Sequence, residues 1–310
     1  MKNKLKVAVV GIGHLGARHL KIYSELAGQV ELVGVCDIKH RRTQKLAEHY
    51  KIPFFKKHTD LIGKVNAVNV CTPTSAHYDV AKDFLEAGIH VLVEKPITTT
   101  IEQADNLIAL AEKNKCTLQV GHVERFNSAF EGIKHFAKNP RFIECHRLNR
   151  FPNRSLDVGV VMDLMIHDID IILGLTSSKV ERAEAVGVKV LTKLEDIANA
   201  RVTFENGCVC NLTASRVSDE VMRKIRIFLP NAYISLDYVK QEAFIYKKFG
   251  KLITKHALPI EKEEPLKKEL VSFINCIQKK KKPIVSGVEA RDALKLALQI
   301  TKDLWDRTII

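Results

Sequence analysis

The sequence predicts two domains: an N-terminal α/β half with a doubly wound parallel sheet, then an α+β half dominated by antiparallel strands. Three observations carry this. Up to residue 122, short β-branched runs alternate with helical patterns, the rhythm of a parallel sheet covered on both faces. A glycine-rich turn joins the first strand to the first helix. After residue 122 the alternation stops, and Asn206-Gly207 between two alternating runs marks a hairpin, because both residues tolerate the positive φ of a tight turn.

The first domain, 1–122, carries strands at Lys6–Val10, Val30–Asp37, Val65–Cys71, His90–Glu94 and Thr117–His122. Helices fall between them at Leu15–Leu26, Arg41–Tyr50, Ala76–Ala87 and Ile101–Asn114, the last with a capping-box pattern from Thr100 and Gln103. The second domain, 123–310, opens with a helix near Asn127–Lys138 and a strand at Arg141–Arg150. An apolar helix spans Gly159–Leu175, strands fill most of the chain to Lys248, and helices Pro265–Lys279 and Val288–Arg307 close it, free to pack back on the first domain.

At 310 residues, 46% of them apolar, the chain can bury two cores. The early valine run is broken by Gly11, Gly13, His14, Arg18 and His19 before a cleavage site could form, and no stretch approaches the roughly 20 apolar residues of a membrane span. A cytoplasmic protein without membrane insertion is expected. Seven cysteines lack both zinc spacing and the density of a disulfide scaffold, so they are expected as reduced thiols, with Cys208 and Cys210 sharing a buried strand face. The net charge of +13 suits an anionic partner. No zinc-finger or aromatic RNA-binding signature accompanies lysine clusters such as Lys279–Lys282, and a nucleic-acid partner is not expected.

Gly11-x-Gly13-x-x-Gly16 follows a strand directly and opens a helix, the context in which this spacing is informative. With His14 and Leu15 on the same turn, it would present backbone N–H groups and the positive end of the helix dipole to a pyrophosphate. Asp37 ends the second strand, about the ~20 residues further on that a ribose-binding carboxylate requires. It favours NAD over NADP, although Lys39, Arg41 and Arg42 behind it offset part of its repulsion toward a 2′-phosphate. The loops Thr72-Pro73-Thr74 and Glu94-Lys95-Pro96 follow strands of the same sheet, so both should border the nicotinamide. Lys95 is then either a catalytic cation or a surface lysine at a strand end. His77, near the same edge, is either a cofactor contact or structural.

The apolar helix around Met162–Leu173 carries Asp163, His167, Asp168 and Asp170. Asp163 and His167 are four apart and fall on one face, and burying such groups without partners costs several kcal/mol. One reading is a structural Asp163–His167 hydrogen bond. The other is chemical: His167 is an acid/base, Asp163 orients it or a substrate hydroxyl, and Lys95 stabilises developing negative charge on oxygen. A metal is not expected, because no second histidine stands at ligand spacing.

The glycine motif, Asp37, Glu94-Lys95-Pro96 and the Asp163-x-x-x-His167 helix, in this order, resemble the glucose-fructose oxidoreductase and inositol dehydrogenase (Gfo/Idh/MocA) family along nearly the whole chain. The resemblance implies a Rossmann domain, a second domain with an open, mostly antiparallel sheet, and catalytic positions at Lys95, Asp163 and His167. The segments 121–127 and 157–170 look like the UDP-N-acetylglucosamine 3-dehydrogenase branch, whose product feeds 3-amino lipid A sugars. Departures are Ser128 in place of proline and Val160-Val161 in place of a glycine-rich run. The branch implies a nucleotide-sugar substrate, bound by Lys95, Asp163 and His167 with Asn127, and a diphosphate held by Arg125, Arg150 or Arg154. It also implies a homodimer or homotetramer through the exposed sheet face. Two alternatives stay open: a dehydrogenase of another sugar nucleotide, free sugar or inositol, and a non-catalytic regulator that senses the dinucleotide.

Overall fold

The computed structural model describes residues 4–151 and 158–306. The chain forms two compact units, one of Met1–Val123 with Leu266–Arg291, the other of Glu124–Pro265 with Asp292–Ile310. The chain passes from the first unit to the second after Val123. The C-terminal stretch differs from a single cut, because Leu266–Arg291 returns to the first unit.

The first unit is built from β1 (Leu5–Val10), α1 (His14–Glu25), β2 (Val30–Cys36), α2 (His40–Tyr50), β3 (Phe54–Phe55), β4 (Ala67–Val70), α3 (His77–Glu86), β5 (His90–Glu94), α4 (Ile101–Lys113) and β6 (Leu118–Gly121). Its six strands pair in parallel in the order β3-β2-β1-β4-β5-β6. Val7, Val9, Val68, Val91 and Leu92 are fully buried, as expected of strands covered on both faces. At the start of α4, Thr100 accepts the backbone N–H of Gln103, and Gln103 reaches back to the N–H of Thr99. That is the expected capping pattern, shifted by one residue on the return bond. At two residues, β3 is too short to leave a period.

The second unit contains α5 (Ser128–Ile133), β7 (Phe142–Leu148), α6 (Ile166–Thr176), β8 (Val180–Val188), β9 (Ile197–Phe204), β10 (Val209–Ser215), β11 (Met222–Leu229), β12 (Ala232–Asp237), β13 (Glu242–Phe249) and β14 (Leu252–Ala257). These strands form one sheet in the order β14-β13-β12-β11-β7-β10-β9-β8, antiparallel except for β7 beside β10. One face buries a continuous core with Phe130 and Ile133 of α5 and Ile166 and Ile169 of α6. Two closing helices follow, α7 (Pro265–Lys279) and α8 (Gly287–Asp306). Leu266, Leu270, Phe273 and Ile274 of α7 join the core of the first unit, while Ala293, Ala297 and Ile300 of α8 join that of the second.

Three local expectations change. The turn at Asn206-Gly207 does form, but only Gly207 takes a positive φ, +80°, and the loop closes by bonds between Phe204 and Cys208 and from Gly207 to Phe204. The helix expected over 127–138 is confined to α5. The helix expected from Gly159 begins as a π-turn, Val161–Met165, that runs into α6. Glu195 fixes that start: its carboxylate accepts the N–H of Val161, and a Cβ at Gly159 would collide with it.

Buried ion pairs tie α6 to the sheet. Arg147, facing inward from β7, pairs with Asp168 through Nη2 at 2.8 Å and with Glu124 through Nη1 at 2.8 Å, while the Tyr238 ring lies 5.5 Å from its guanidinium. Burial disfavours the Arg147 charge, but the two carboxylates outweigh it and hold the group protonated. Arg125 grips Asp170 through Nε at 2.6 Å and Nη2 at 3.0 Å. A side chain at Gly174 would collide with that guanidinium, so the glycine makes the approach possible. Replacing Arg147 with methionine strands two buried carboxyls. It should cost roughly 3–5 kcal/mol in urea unfolding, and an unchanged midpoint would contradict the assignment.

Candidate functional site

In the first unit the glycine turn is shaped by contact. A Cβ at Gly11, where φ is +88°, would sit 2.6 Å from the Cys71 carbonyl and the Thr72 nitrogen, and one at Gly16 would collide with the Gly11 carbonyl. Only glycine lets β1, β4 and α1 meet so closely. Gly13 has open space where a Cβ would point, and as the cap of α1 it brings no side chain to the first-turn amides of His14, Leu15 and Gly16. Open space beside uncapped helix amides fits a pyrophosphate.

Asp37 is half-buried at the end of β2. Its Oδ2 accepts the Ile12 N–H at 2.5 Å and its Oδ1 accepts the Lys39 N–H at 2.7 Å, which ties it to the glycine turn. A carboxylate has about four acceptor positions, so capacity for ribose hydroxyls remains. Beside it, Lys39, His40, Arg41, Arg42 and Lys45 line a cavity of about 720 Å³ with Ala17 and Leu46. This is the local face of the chain's positive charge.

Thr72 and Pro73 follow β4, and Thr74 opens a short turn into α3. His77, fully buried, bridges the two loops: Nδ1 lies 2.8 Å from the Pro96 carbonyl and Nε2 2.9 Å from that of Thr72. Burial lowers its pKa against the pull of those carbonyls. His77 therefore sets loop geometry, the structural of its two readings. Lys95 stands half-buried between Glu94 and Pro96.

In the second unit, Asp163 lies on the π-turn and His167 on the first turn of α6, both half-buried. π-turns occur preferentially at functional sites. Asp168 and Asp170 point the other way, into the ion pairs with Arg147 and Arg125. Burial lifts the Asp168 carboxyl against the pull of Arg147. Of the residues expected at a diphosphate, Arg125 is buried and committed to Asp170, a correction that removes it from the substrate set. Asn127 caps α5 and donates to the Tyr238 carbonyl, so its side chain is structural as well. Arg150 is exposed and donates to the Asp219 carbonyl, and Arg154 lies outside the described residues.

Sequence reading missed two sets of residues. One is Arg147, signalled by a charge at an inward position of an alternating strand. The other is the buried partners of Glu94: its side chain, expected at the nicotinamide edge, turns inward, where it, His19 and Cys71 each place an O, N or S atom within 4.8 Å of the others, and Glu269 of α7 stands close by. Burial first, then the neighbouring Glu94 charge, raises the Glu269 pKa well above its usual range. All seven cysteines are free thiols, as expected. Among the described residues no helix is long and apolar enough to cross a membrane.

A model of the oxidoreductase family with an NAD-binding Rossmann fold matches residues 5–122, and one of the GFO/IDH/MocA C-terminal domain matches 119–234. A UDP-N-acetylglucosamine 3-dehydrogenase of Acidithiobacillus ferrooxidans is 36% identical over 303 residues, 96% of each chain. A solved structure of that enzyme superposes with a TM-score of 0.92, covering 97% of this chain and 98% of the other. A myo-inositol 2-dehydrogenase of Thermotoga maritima is 24% identical over 98% of this chain and 97% of its own.

Glu269 generates a pH prediction. Its folded pKa is raised, so its contribution to stability is present below the unfolded value and is lost as pH rises through the folded one. Glu269→Gln keeps the shape of the neutral acid, and its melting temperature should exceed the native one by a margin that grows between pH 5.5 and 8.5. A margin independent of pH would contradict the buried, protonated carboxyl.

Proposed function

The chain belongs to the Gfo/Idh/MocA oxidoreductases, with their NAD-binding Rossmann fold, and from that premise we propose that it oxidises the 3-hydroxyl of UDP-N-acetylglucosamine to the 3-keto sugar nucleotide. The observation that carries the reading is the 36% identity to an enzyme named for that reaction, which extends over 96% of both chains.

NAD supplies the hydride acceptor. The glycine turn and α1 amides would hold its pyrophosphate, Asp37 would hold its adenosine ribose, and the 72–74 and 94–96 loops would border the nicotinamide. In this reading His167 would take the O3 proton, Asp163 would orient the imidazole or the hydroxyl, and the Lys95 ammonium would stabilise charge developing on O3. Arg150 and Arg154 are the remaining candidates for the diphosphate.

The reading extends to a cytoplasmic homodimer or homotetramer that makes precursor for a 3-amino lipid A sugar. The support for assembly is an aromatic ladder on β7, β11, β12 and β13: Phe142 and Phe228 lie 5.5 Å apart, Phe228 and Tyr233 5.5 Å, and Tyr233 stacks on Tyr246 at 4.2 Å.

NADH formation against a panel of nucleotide sugars, free sugars and inositol tests the substrate. Turnover of UDP-N-acetylglucosamine is expected, and oxidation of free sugars or inositol alone would replace that assignment. His167→Ala should lower kcat by roughly 10²- to 10⁴-fold with NAD affinity nearly intact; normal turnover would remove the acid/base role. Asp37→Ala should relax the preference for NAD over NADP, and an unchanged ratio of kcat/KM values would count against the ribose contact.

A further inference from the structure

The loop that carries Lys95 leaves β5 at Glu94, whose side chain turns inward and is only 6% exposed. There it meets His19 of α1, Nε2 lying 3.0 Å from Glu94 Oε1. Behind the imidazole runs a chain of fully buried polar groups. The Tyr23 hydroxyl donates to Asn69 Oδ1 at 2.8 Å, and Asn69 Nδ2 donates to His19 Nδ1 at 2.8 Å. With Nδ1 accepting from the amide, the ring N–H is on Nε2, the nitrogen that faces the carboxylate. Gly121 of β6 makes the space, since a Cβ there would fall 2.7 Å from Glu94 Oε2. The other titratable groups facing the cluster are Tyr23 of α1, Cys71 after β4 and Glu269 of α7, and burial keeps a proton on each.

On the far side of Lys95, the Pro96 carbonyl is held by His77. Lys95 is therefore flanked by two pinned residues, one fastened through its side chain and one through its backbone. We propose that His19 is a positioning residue for Lys95, acting through Glu94: the relay Tyr23–Asn69–His19–Glu94 fixes the carboxylate and so sets where the next residue presents its ammonium. The inference rests on the reading of Lys95 as the cation beside the substrate oxygen, and it gives the buried polar groups of α1 and β4 a task in that reaction.

The test compares His19→Leu, His19→Gln and Glu94→Gln in the full chain with NAD present. Lys95 acylation is followed by mass spectrometry from pH 6 to 10, alongside kcat and KM. His19→Leu should shift the pH midpoint of Lys95 labelling and lower kcat by about tenfold to hundredfold, the scale of a small misplacement. KM for NAD should stay within about twofold of the native value. His19→Gln, which keeps a donor toward Glu94, should recover most of both effects. A folded His19→Leu protein whose Lys95 labels like the native one overturns the proposal. Where leucine prevents folding, an unchanged Lys95 midpoint in Glu94→Gln does the same. A native protein inactive on UDP-N-acetylglucosamine, yet with His19-dependent Lys95 labelling, removes the substrate assignment and leaves this one standing.

Discussion

A charge taken out of water must meet its opposite, and that constraint fixes the candidate reactive groups of both units. In the second unit, Arg147 with Asp168 and Glu124, and Arg125 with Asp170, fasten α6 to the sheet and to the turn before α5. A slide of α6 by even one residue would pull Asp168 and Asp170 out of these pairs and leave Arg125 without its carboxylate, at several kcal/mol for each buried charge, while Arg147 would keep only Glu124. His167 inherits its place from these pairs. The aspartates that share its helix therefore divide the work: Asp168 and Asp170 anchor, and Asp163 stays on the half-buried side.

The first unit meets the same constraint with weaker means. Glu94 is turned inward against an imidazole, which is in turn held by an amide and a phenol. Gly11 and Gly16 are as indispensable there as any side chain, because a methyl group at either would push β1 away from β4 or from α1. The glycine turn, with its open space beside the first amides of α1, and the packing that holds the sheet together are thus one feature.

Much of this was legible in the sequence. The parallel strands announce themselves by β-branched runs, and the Gly11–Gly16 spacing marks the turn from β1 into α1, to which Asp37 is tied through the Ile12 N–H. The polar residues of the 162–173 helix were visible as outliers in an apolar segment. What could not be read is which of them pairs with what, since Asp168 meets a residue 21 positions earlier and Asp170 one 45 positions earlier. For the same reason Arg125 looked like a diphosphate ligand: a basic residue in a loop and one buried against a helix have the same local pattern. His19 gave no signal of its own, because a histidine on an amphipathic helix acquires meaning only when the sheet brings Asn69 and Glu94 to it. The edge strand β14 and the π-turn escaped because one is exposed on both faces and the other is a one-residue departure from helical period.

The central claim is that hydride leaves C3 of the sugar nucleotide for NAD, and it is tested most directly with UDP-N-acetylglucosamine deuterated at that carbon. The account predicts reduced cofactor carrying one deuterium at the nicotinamide C4, with a slowed chemical step in single-turnover measurements. Reduced cofactor free of deuterium, with the label retained in the sugar, would contradict it.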